Sequence, residues 1–307
     1  MPMKASVITT VLNEIKSIEA FVNALDDQTR APDEVIVVDA GSTDGTVEVI
    51  KRCAADRPWL RLIEEPGNRS HGRNTAIDAA THDVIACADA GSLPDPWWLA
   101  NLLKPFDDGA DWVAGFYWVD AESVVDRCAG LTIVYVEEEV DAASFLPSAR
   151  SMAFTKNAWE AAGRFPEEVD FGEDTLFGVR MREVGIAPTL ALDATVGWHP
   201  PHGFGGLART TFRWGRGDAA ARVRGARYKR TIGALIASVV LVVALAWIKP
   251  VLALLGLAPM VPGIWRTTRH KYAHEEHPAK WILLPASRAV ATSSNLAGYV
   301  VGRAVGE

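Results

Sequence analysis

The chain has 307 residues, of which 49% are hydrophobic, and its formal net charge is −7. This length allows one large domain or two smaller ones with a substantial core, and the mildly acidic balance argues against a nucleic acid partner. The three cysteines are scattered and form no CxxC pair, which argues against a zinc site or a disulfide framework and suits a reducing compartment. They are Cys53, Cys87 and Cys128.

The first 115 residues alternate short apolar runs with helical patterns. We predict strands at residues 5–10, 35–38, 60–63, 84–88 and 112–114, and helices near residues 16–27, 43–55, 70–81 and 95–105. This βαβα order predicts an α/β fold with a doubly wound, mostly parallel sheet. Because the first strand begins so early in the chain, we expect no signal peptide.

The pattern is less regular in the middle of the chain. Residues 116–150 include the acidic run Glu137–Glu139, which we interpret as a solvated face or loop. Residues 151–200 predict a short strand, two helices and a strand near residues 194–198. Residues 203–230 form a basic link to an apolar C-terminal region.

Two apolar stretches follow the basic link. Residues 232–248 carry no charge, Lys249 and Pro250 interrupt the pattern, and residues 251–264 resume it. Each stretch is near the lower limit for spanning a bilayer, about 17 residues. They predict either a membrane hairpin or re-entrant pair, or two buried core helices.

The charges that flank these stretches favour the membrane. Basic residues lie before the first stretch, at positions 222–230, and after the second, at positions 266–271. This distribution suits a hairpin with both ends in the cytoplasm. Residues 281–305 are a weaker apolar segment, which predicts a third span or a helix lying in the interface.

An apolar, β-branched run ends in Asp39, and the next residues turn through Gly41 into a predicted helix. The N-cap of this helix is expected at Ser42, Thr43 or Asp44. Asp39 thus falls at the carboxyl end of a strand, where open α/β sheets bind ligands. Its carboxylate can accept a hydrogen bond from a nucleobase N–H or a ribose hydroxyl. The alternative is an aspartate that only closes the turn, and this segment alone does not decide between them.

Three further segments place polar residues at the ends of predicted elements. Thr10 to Glu14 supply hydroxyl, amide and carboxylate groups after the first strand, and Asp89 follows the fourth. Residues 67–74 open a helix with two glycines and two arginines. Arginine and a helix N-terminus both favour anions, although a charged surface loop is the alternative.

These segments, together with residues 172–185, resemble the family 2 glycosyltransferases, whose nucleotide-sugar domain has the GT-A fold. The resemblance covers roughly residues 4–220 and rests, in this order, on SVITTVLNE, EVIVVDAGSTDGT, GRN, ADAGSLPDPWWL and GEDTLFGVRMREVG. It implies that Thr10, Glu14 and Asp39 hold the nucleoside. Arg73 would lie near the nucleobase or the phosphates, and Asp89 would begin the acidic motif that meets the ribose and a divalent metal.

The acidic motif departs from the family's Asp-x-Asp pattern, because Gly91 stands where the second aspartate belongs. Mg²⁺ and Mn²⁺ prefer hard oxygen ligands, so a lost carboxylate weakens such a site. The resemblance still implies one of these ions, held by Asp89, the diphosphate and water. His199 is a further candidate ligand, and a packed or exposed histidine is the alternative.

Glu173 and Asp174 open a predicted helix, and their resemblance to the family implies a catalytic centre. In an inverting transfer a carboxylate removes the proton of the acceptor hydroxyl, and Asp174 matches the family's general-base position. Glu173 is expected to orient the acceptor or to cap the helix. The alternative for this pair is two acids that only stabilise a helix N-terminus.

Arg213 lies in a partial match to the Gln-x-x-Arg-Trp pattern of membrane-bound relatives, with Thr210 in the place of the glutamine. By this resemblance Arg213 would contact the diphosphate of a nucleotide sugar or line an acceptor channel. The alternative is that the whole basic stretch binds anionic lipid headgroups.

We therefore predict an inverting glycosyltransferase with a GT-A domain over residues 1–220, and a basic juxtamembrane link with membrane-associated helices over residues 221–307. Its donor would be a nucleotide sugar, UDP-linked by preference. Its acceptor would be a lipid-linked sugar or a surface glycan, at the cytoplasmic side of the cell membrane. One alternative is a non-catalytic, membrane-anchored nucleotide-sugar-binding protein of the same fold, which Gly91 favours. The other is a nucleotidyltransferase, which would normally carry a glycine- and basic-rich loop after the first strand.

Overall fold

The computed structural model describes residues 3–248, 255 and 258–305. The strands are β1 (Ala5–Val11), β2 (Glu34–Asp39), β3 (Leu60–Glu64), β4 (Val84–Cys87), β5 (Ser92–Pro94), β6 (Trp112–Val119), β7 (Met152–Thr155) and β8 (Thr189–Trp198). The helices are α1 (Ile18–Asp26), α2 (Thr46–Ala54), α3 (Arg69–Ala79), α4 (Trp98–Leu103), α5 (Val124–Ile133), α6 (Lys156–Ala161), α7 (Glu173–Glu183), α8 (Gly203–Ala220), α9 (Gly225–Ile248), α10 (Val261–Thr268) and α11 (Lys280–Val305).

These elements form two compact units. The first, here called the sheet unit, comprises the residues up to 120 and residues 140–199, and it contains all of the strands given above. The second, here called the helical unit, comprises residues 121–139 and the residues from 200 on. Helix α8 belongs to the helical unit, and the functional boundary expected at residue 220 stays a prediction.

The strands form one mixed sheet in the order β3-β2-β1-β4-β7-β6-β8-β5. Strands β3, β2, β1 and β4 are mutually parallel, β7 runs antiparallel between β4 and β6, and β5 is antiparallel to β8. The parallel part is the doubly wound arrangement that the βαβα order predicted. In such sheets the chain winds outward in both directions from the first strand, and ligands bind at the carboxyl edge beside it.

The apolar run of β2 does not alternate with polar residues because both faces of the strand are covered. Val35 and Val37 pack into a core layer that includes Phe21 of α1, while Ile36 packs into a second layer with Ile77 of α3. Successive side chains of a strand point to opposite faces, so a sheet covered by helices on both faces requires apolar residues at consecutive positions. Every residue of β2 is buried.

Small residues and exposed apolar surface characterise the helical unit. A Cβ atom at Gly298 of α11 would lie 2.0 Å from the backbone oxygen of Phe212 on α8, so glycine permits these two helices to pack closely. Helix α9 is the one helix among the described residues that is long and apolar enough to cross a membrane. Its most apolar window has a mean hydropathy of 2.6 and is only 6% buried.

Most predicted elements are confirmed with small differences at their ends, and the structure adds elements that were not predicted, including β5 and α5. The N-cap of α2 is Gly45, which has φ of 97°, and not Ser42, Thr43 or Asp44. The side chains at those three positions instead serve the turn, as Asp44 does by accepting the N–H of Thr46 at 3.1 Å.

Two further differences concern the middle and the end of the chain. The strand predicted at residues 112–114 continues to residue 119, and the irregular region contains helix α5. The predicted break at Lys249 and Pro250, and residues 251–254, 256 and 257 of the second apolar stretch, lie outside the described residues.

Candidate active site

The carboxyl ends of three neighbouring strands bring together polar side chains that the sequence singled out. Thr10 is the penultimate residue of β1, Asp39 is the last residue of β2, and Asp89 follows the end of β4 by two positions. Strand β1 pairs in parallel with both β2 and β4, so the three ends lie at one edge of the sheet. This is the edge at which doubly wound sheets bind ligands.

Asp39 uses its two carboxylate oxygens differently. Oδ2 accepts hydrogen bonds from the backbone N–H groups of Gly41 and Ser42, each at 2.9 Å, and these bonds close the turn after β2. Oδ1 is buried and has no hydrogen-bond partner among the described residues. A buried polar atom without a partner costs about 1–3 kcal/mol. Oδ1 therefore keeps an unused capacity to accept a hydrogen bond.

The loop after β1 is tied to the turn after β2 through Asn13. Its backbone N–H donates to Ser42 Oγ at 2.8 Å, and its side-chain oxygen accepts from the N–H of Thr43 at 2.9 Å. Asn13 has φ of 60°, a left-handed conformation that asparagine tolerates better than most residues. These bonds hold the following residue, Glu14, whose carboxylate accepts from Ser17 Oγ at 2.7 Å.

Helix α3 opens at the anion-favouring segment as predicted, with its first residue at Arg69. Gly72 lets the helix approach β1, because a Cβ atom at this position would lie 2.7 Å from Thr10 Cγ2. Asn74 is buried, and its Nδ2 donates to the backbone oxygen of Phe165 at 3.0 Å. The motif GRN thus joins the helix to the strand and to the loop that precedes α7.

Arg73 is buried and links two of the acidic motifs. Its Nη1 donates to Glu173 Oε1 at 2.7 Å, and its Nη2 donates to Asp89 Oδ1 at 3.2 Å. The guanidinium also lies 5.4 Å from the centre of the Phe165 ring. With Arg73 only 4% exposed and Glu173 only 5% exposed, this part of the network is closed to solvent.

The charges of this network govern the protonation of its members. Partial desolvation by itself would raise the pKa of Asp89, but Arg73, Arg150 and Arg69 together hold that pKa below its ordinary value. Burial would lower the pKa of Arg73, yet Glu173 and Asp89 raise it above its ordinary value. Both groups are therefore charged at neutral pH. The side chain of Asp89 is 39% exposed, which makes it the accessible end of the network.

Asp174 directly follows Glu173 but has a different environment. It is half-buried, and its Oδ2 accepts from Ser148 Oγ at 3.1 Å while its Oδ1 accepts from the backbone N–H of Thr175 at 2.7 Å. The carboxylate of Glu173 is engaged in the buried pair with Arg73. Of the two adjacent acids, Asp174 is therefore the more accessible.

Arg150 belongs to this site, and the sequence analysis missed it. It precedes β7, which runs antiparallel to β4 with Met152 opposite Cys87, so the register carries Arg150 to a position opposite Asp89. Its Nε lies 3.8 Å from Asp89 Oδ2, and its Nη1 donates to Ser148 Oγ at 3.0 Å. The pairing of β4 with β7 brings this arginine to the site, and no local sequence pattern signals that pairing.

A divalent cation would find two carboxylates at this edge. A Cβ atom at Gly91 would have only Glu14 Oε2 within 4 Å, at 3.9 Å, so Glu14 lies beside the place of the missing second aspartate. No group of three or more His, Cys, Asp or Glu side chains suited to a metal occurs in the described part of the chain. Asp89 and Glu14 fit an ion that takes its remaining ligands from a diphosphate and water, as Mg²⁺ commonly does.

The two remaining predicted residues lie in different units. His199 directly follows β8. The last residue of that strand, Trp198, pairs with Ser92 of β5, and Ser92 lies three positions after Asp89. Its side chain is 56% exposed, and its Nδ1 lies 2.9 Å from the backbone oxygen of Asp120. When Nδ1 donates to this oxygen, Nε2 is left as the nitrogen that can bind a metal. Arg213 lies on α8 in the helical unit, and its role stays a prediction.

Comparisons with known proteins agree with this geometry. Residues 6–127 match the model of glycosyl transferase family 2. Glycosyltransferase AglE of Haloferax volcanii is 31% identical over 227 residues, which are 69% of this chain and 72% of that protein. The undecaprenyl-phosphate 4-deoxy-4-formamido-L-arabinose transferase of Serratia proteamaculans is 32% identical over 115 residues, 35% of each protein. That second match therefore spans only about a third of the relative.

The fold has a match among solved structures as well. The mannosyltransferase PcManGT of Pyrobaculum calidifontis, solved in complex with GDP-Man and Mn²⁺, superposes with a TM-score of 0.59 over 98% of this chain and 86% of that one, at 20% identity. This likeness concerns the fold, which is GT-A. The match to AglE over most of both proteins, together with the family model that residues 6–127 match, identifies the chain as a glycosyltransferase and a member of glycosyltransferase family 2.

Proposed function

We propose that this glycosyltransferase moves a sugar from a UDP-sugar to a lipid-linked or surface-glycan acceptor, with inversion at the anomeric carbon. The observation that supports this most is the network in which Arg73 joins Asp89 to Glu173, with Asp174 as the next residue. We assign Asp89 to the donor side and Asp174 to the acceptor side, and both carboxylates are partly accessible.

The state of Asp39 supports uracil as the base. Its Oδ2 accepts from the turn, which leaves the buried Oδ1 as the oxygen without a hydrogen-bond partner among the described residues. Uracil presents a single ring N–H, whereas guanine presents a ring N–H and an amino group side by side and is best matched by both oxygens of a carboxylate. In this proposal Thr10 and Glu14 complete the nucleoside site at the same edge.

A divalent metal is part of the proposed donor complex. Asp89 would hold Mg²⁺ or Mn²⁺, with Glu14 and His199 as further ligands and the diphosphate and water in the remaining positions. Such an ion supplies Lewis-acid stabilisation of the charge on the departing diphosphate. The complex of the Pyrobaculum calidifontis mannosyltransferase with GDP-Man and Mn²⁺ supports an ion of this kind.

Asp174 is the proposed base. Its carboxylate takes the proton of the acceptor hydroxyl as that oxygen forms a bond to the anomeric carbon. The bond from the anomeric carbon to the diphosphate oxygen breaks at the same time, and its electron pair leaves with the diphosphate. Ser148 Oγ holds Asp174 Oδ2 at 3.1 Å and so fixes the orientation of the carboxylate. Glu173 acts indirectly, by holding Arg73.

A membrane location is the second part of the proposal. Helix α9 exposes large apolar side chains along its length, including Val243 at 61% and Trp247 at 91%. Exposed apolar surface of this extent is typical of a helix in contact with lipid. The name of the Serratia relative includes undecaprenyl phosphate, which supports a lipid-linked acceptor. We infer that the sheet unit faces the cytoplasm, where nucleotide sugars are made.

The test is release of nucleoside diphosphate by the detergent-purified full chain. UDP-sugars and GDP-sugars would be offered with a membrane lipid extract, in Mn²⁺, in Mg²⁺ or in EDTA. We expect release from a UDP-sugar that falls by about 100-fold or more in Asp174→Asn. The matched control is Asp170→Asn, because Asp170 is exposed and lies only four positions earlier.

Three outcomes would contradict parts of the proposal. Release that survives Asp174→Asn would remove Asp174 as the base. Release only from a GDP-sugar would overturn the assignment of uracil. Recovery of the full chain from the soluble fraction without detergent would overturn the membrane location, whatever the donor.

A further inference from the structure

We propose that Arg150 binds the diphosphate of the donor and stabilises the charge that develops on it during transfer. This inference rests on the proposed function. Arg69 also acts on Asp89, but it forms no ion pair with Asp89 among the described residues. The other cation that pairs with Asp89 is Arg73, whose two terminal nitrogens are bonded to Glu173 and Asp89 and whose side chain is only 5% exposed. The side chain of Arg150 is 18% exposed, so Arg150 is the cation of this pair that a ligand can reach.

Two aromatic rings lie beside the guanidinium of Arg150. The guanidinium carbon lies 5.2 Å from the centre of the Tyr117 ring and 4.6 Å from the centre of the Trp198 ring. Contacts of this kind hold a cation in place without using its N–H groups. Arginine is suited to this arrangement because its planar fork both stacks on rings and binds two phosphate oxygens at once.

The hydrogen bonds of Arg150 leave donor capacity directed at Asp89. Nη1 donates to Ser148 Oγ at 3.0 Å. Nε is buried, has no hydrogen-bond partner among the described residues, and lies 3.8 Å from Asp89 Oδ2. That separation exceeds a hydrogen bond. An oxyanion that enters beside Asp89 would therefore meet a guanidinium that the protein has left incompletely satisfied.

The position of Arg150 also connects the donor side with the acceptor side. Ser148 Oγ accepts from Arg150 Nη1 and donates to Asp174 Oδ2. One serine hydroxyl thus separates the proposed base from the proposed diphosphate ligand. When the bond to the anomeric carbon breaks, its electron pair stays on the diphosphate oxygen, and a fixed cation at that point stabilises the new charge. No proton needs to leave Arg150 in this step.

The experiment compares the affinity for a nucleoside diphosphate with that for the nucleoside alone. Calorimetry on the detergent-purified full chain would use UDP and uridine, and GDP and guanosine, each with Mn²⁺ and with EDTA. We expect Arg150→Gln to weaken diphosphate binding by about 10- to 100-fold and to change nucleoside binding by less than about twofold. Arg150→Lys keeps the charge without the fork and should fall between the two.

Arg164→Gln is the matched control. Arg164 also stacks on an indole ring, that of Trp159 at 4.4 Å, and also pairs with an aspartate, Asp78. We expect its diphosphate and nucleoside affinities to equal those of the unchanged protein.

Each other outcome overturns the inference. An equal loss of diphosphate and nucleoside binding in Arg150→Gln would mean that Arg150 only shapes the site. Unchanged binding of both would mean that it has no role in the donor complex. If Arg150→Gln does not fold, wild-type diphosphate affinity in Arg150→Lys would overturn the proposal. If the unchanged protein binds neither UDP nor GDP, the proposed function itself fails and this inference fails with it.

Discussion

The sheet unit and the helical unit both bury charged side chains, but they do so in different ways. In the helical unit Asp218 is 3% exposed, and it accepts from Arg224 Nη1 at 3.1 Å and from the hydroxyl of Tyr228 at 2.6 Å. That hydroxyl also lies 2.8 Å from Asn295 Oδ1. Both oxygens of Asp218 thus have partners within the cluster, which joins α8 to the start of α9 and to α11.

The buried charges of the sheet unit end in groups that are partly exposed. Arg73 and Glu173 form the closed interior, while Asp89 is 39% exposed and Arg150 is 18% exposed. Nε of Arg150 and Oδ1 of Asp39 have no hydrogen-bond partner in the part of the chain that the structure describes. A buried charge therefore indicates a site when its cluster leaves polar atoms without hydrogen-bond partners, and indicates structure when, as for Asp218, both oxygens have partners.

The largest expected effect comes from Arg73→Ala. Removal of this side chain leaves Glu173 buried without its cation, and breaking a buried pair in this way costs about 3–5 kcal/mol. The control is Arg164→Ala, since Arg164 also contacts an aromatic ring but pairs with Asp78 at the surface, with side-chain exposures of 45% and 57%. An exposed pair contributes about 0–1 kcal/mol. Urea unfolding of both variants checks this, and equal losses would mean that the interior of the network is not closed.

The next effect concerns pH, at the opposite edge of the sheet. Burial alone would raise the pKa of Glu34, but hydrogen bonds from Thr81, Ser6 and Arg61 lower it to about 2 from its ordinary value of 4.5. An acid with a lowered pKa in the folded state adds stability above pH 4.5, and loses it as the pH falls toward 2. The contribution is roughly 3 kcal/mol, because one pKa unit corresponds to about 1.4 kcal/mol.

The measurement is the difference in unfolding free energy between the unchanged protein and Glu34→Gln. This difference should be greatest above pH 4.5 and should shrink steadily toward pH 2. Glu64→Gln is the control, because Glu64 pairs with Lys51 at the surface and is 55% exposed. A difference for Glu34→Gln that does not vary with pH would show that this carboxylate gains nothing from its partners.

The helical unit is tested by Gly298→Ala. The new Cβ would lie 2.0 Å from the backbone oxygen of Phe212, so α8 and α11 would have to move apart, at a cost of about 1–3 kcal/mol. Gly233→Ala on α9 is the control, because its Cβ would have no atom within 4 Å. There alanine should stabilise the helix by up to about 1 kcal/mol. Melting temperatures in detergent check both, and a neutral Gly298→Ala would contradict the close packing of these helices.

The sequence predicted the sheet unit well because its signals are local. The β-branched run that ends in Asp39 and the polar segment that opens α3 each report their own structure, and the order of such segments carries the family resemblance. What was missed depends on contacts between parts of the chain that are far apart in sequence. Arg150 reaches Asp89 only because β7 inserts antiparallel beside β4, and Arg73 reaches Glu173 across 100 positions of the chain.

Two questions that the sequence left open also depend on the three-dimensional structure. The sequence left open whether Asp39 binds a ligand or closes a turn, and the structure gives its two oxygens different tasks. In the helical unit, apolar composition alone did not separate a membrane span from a core helix. In the structure only 6% of the apolar window of α9 is buried, which agrees better with the proposed membrane span than with a core helix.

The smallest expected effect tests the incomplete metal site at the edge of the sheet. If Glu14 stands in for the carboxylate that Gly91 lacks, Glu14→Gln should weaken Mn²⁺ binding by about tenfold in the presence of UDP. Electron paramagnetic resonance of free Mn²⁺ measures this without turnover. Glu19→Gln is the control, because Glu19 lies at the surface in a pair with Arg52. It should leave Mn²⁺ affinity unchanged.

A second substitution makes this test specific. A Cβ atom at position 91 would have only Glu14 Oε2 within 4 Å, at 3.9 Å, so the backbone at Gly91 has room for the Cβ of Gly91→Asp. When Gly91→Asp is combined with Glu14→Gln, the double variant should regain the Mn²⁺ affinity, because the new aspartate supplies a carboxylate in place of that of Glu14. Weak binding that persists in the double variant would mean that Glu14 acts on the nucleoside alone. The metal would then depend on Asp89, His199 and the diphosphate.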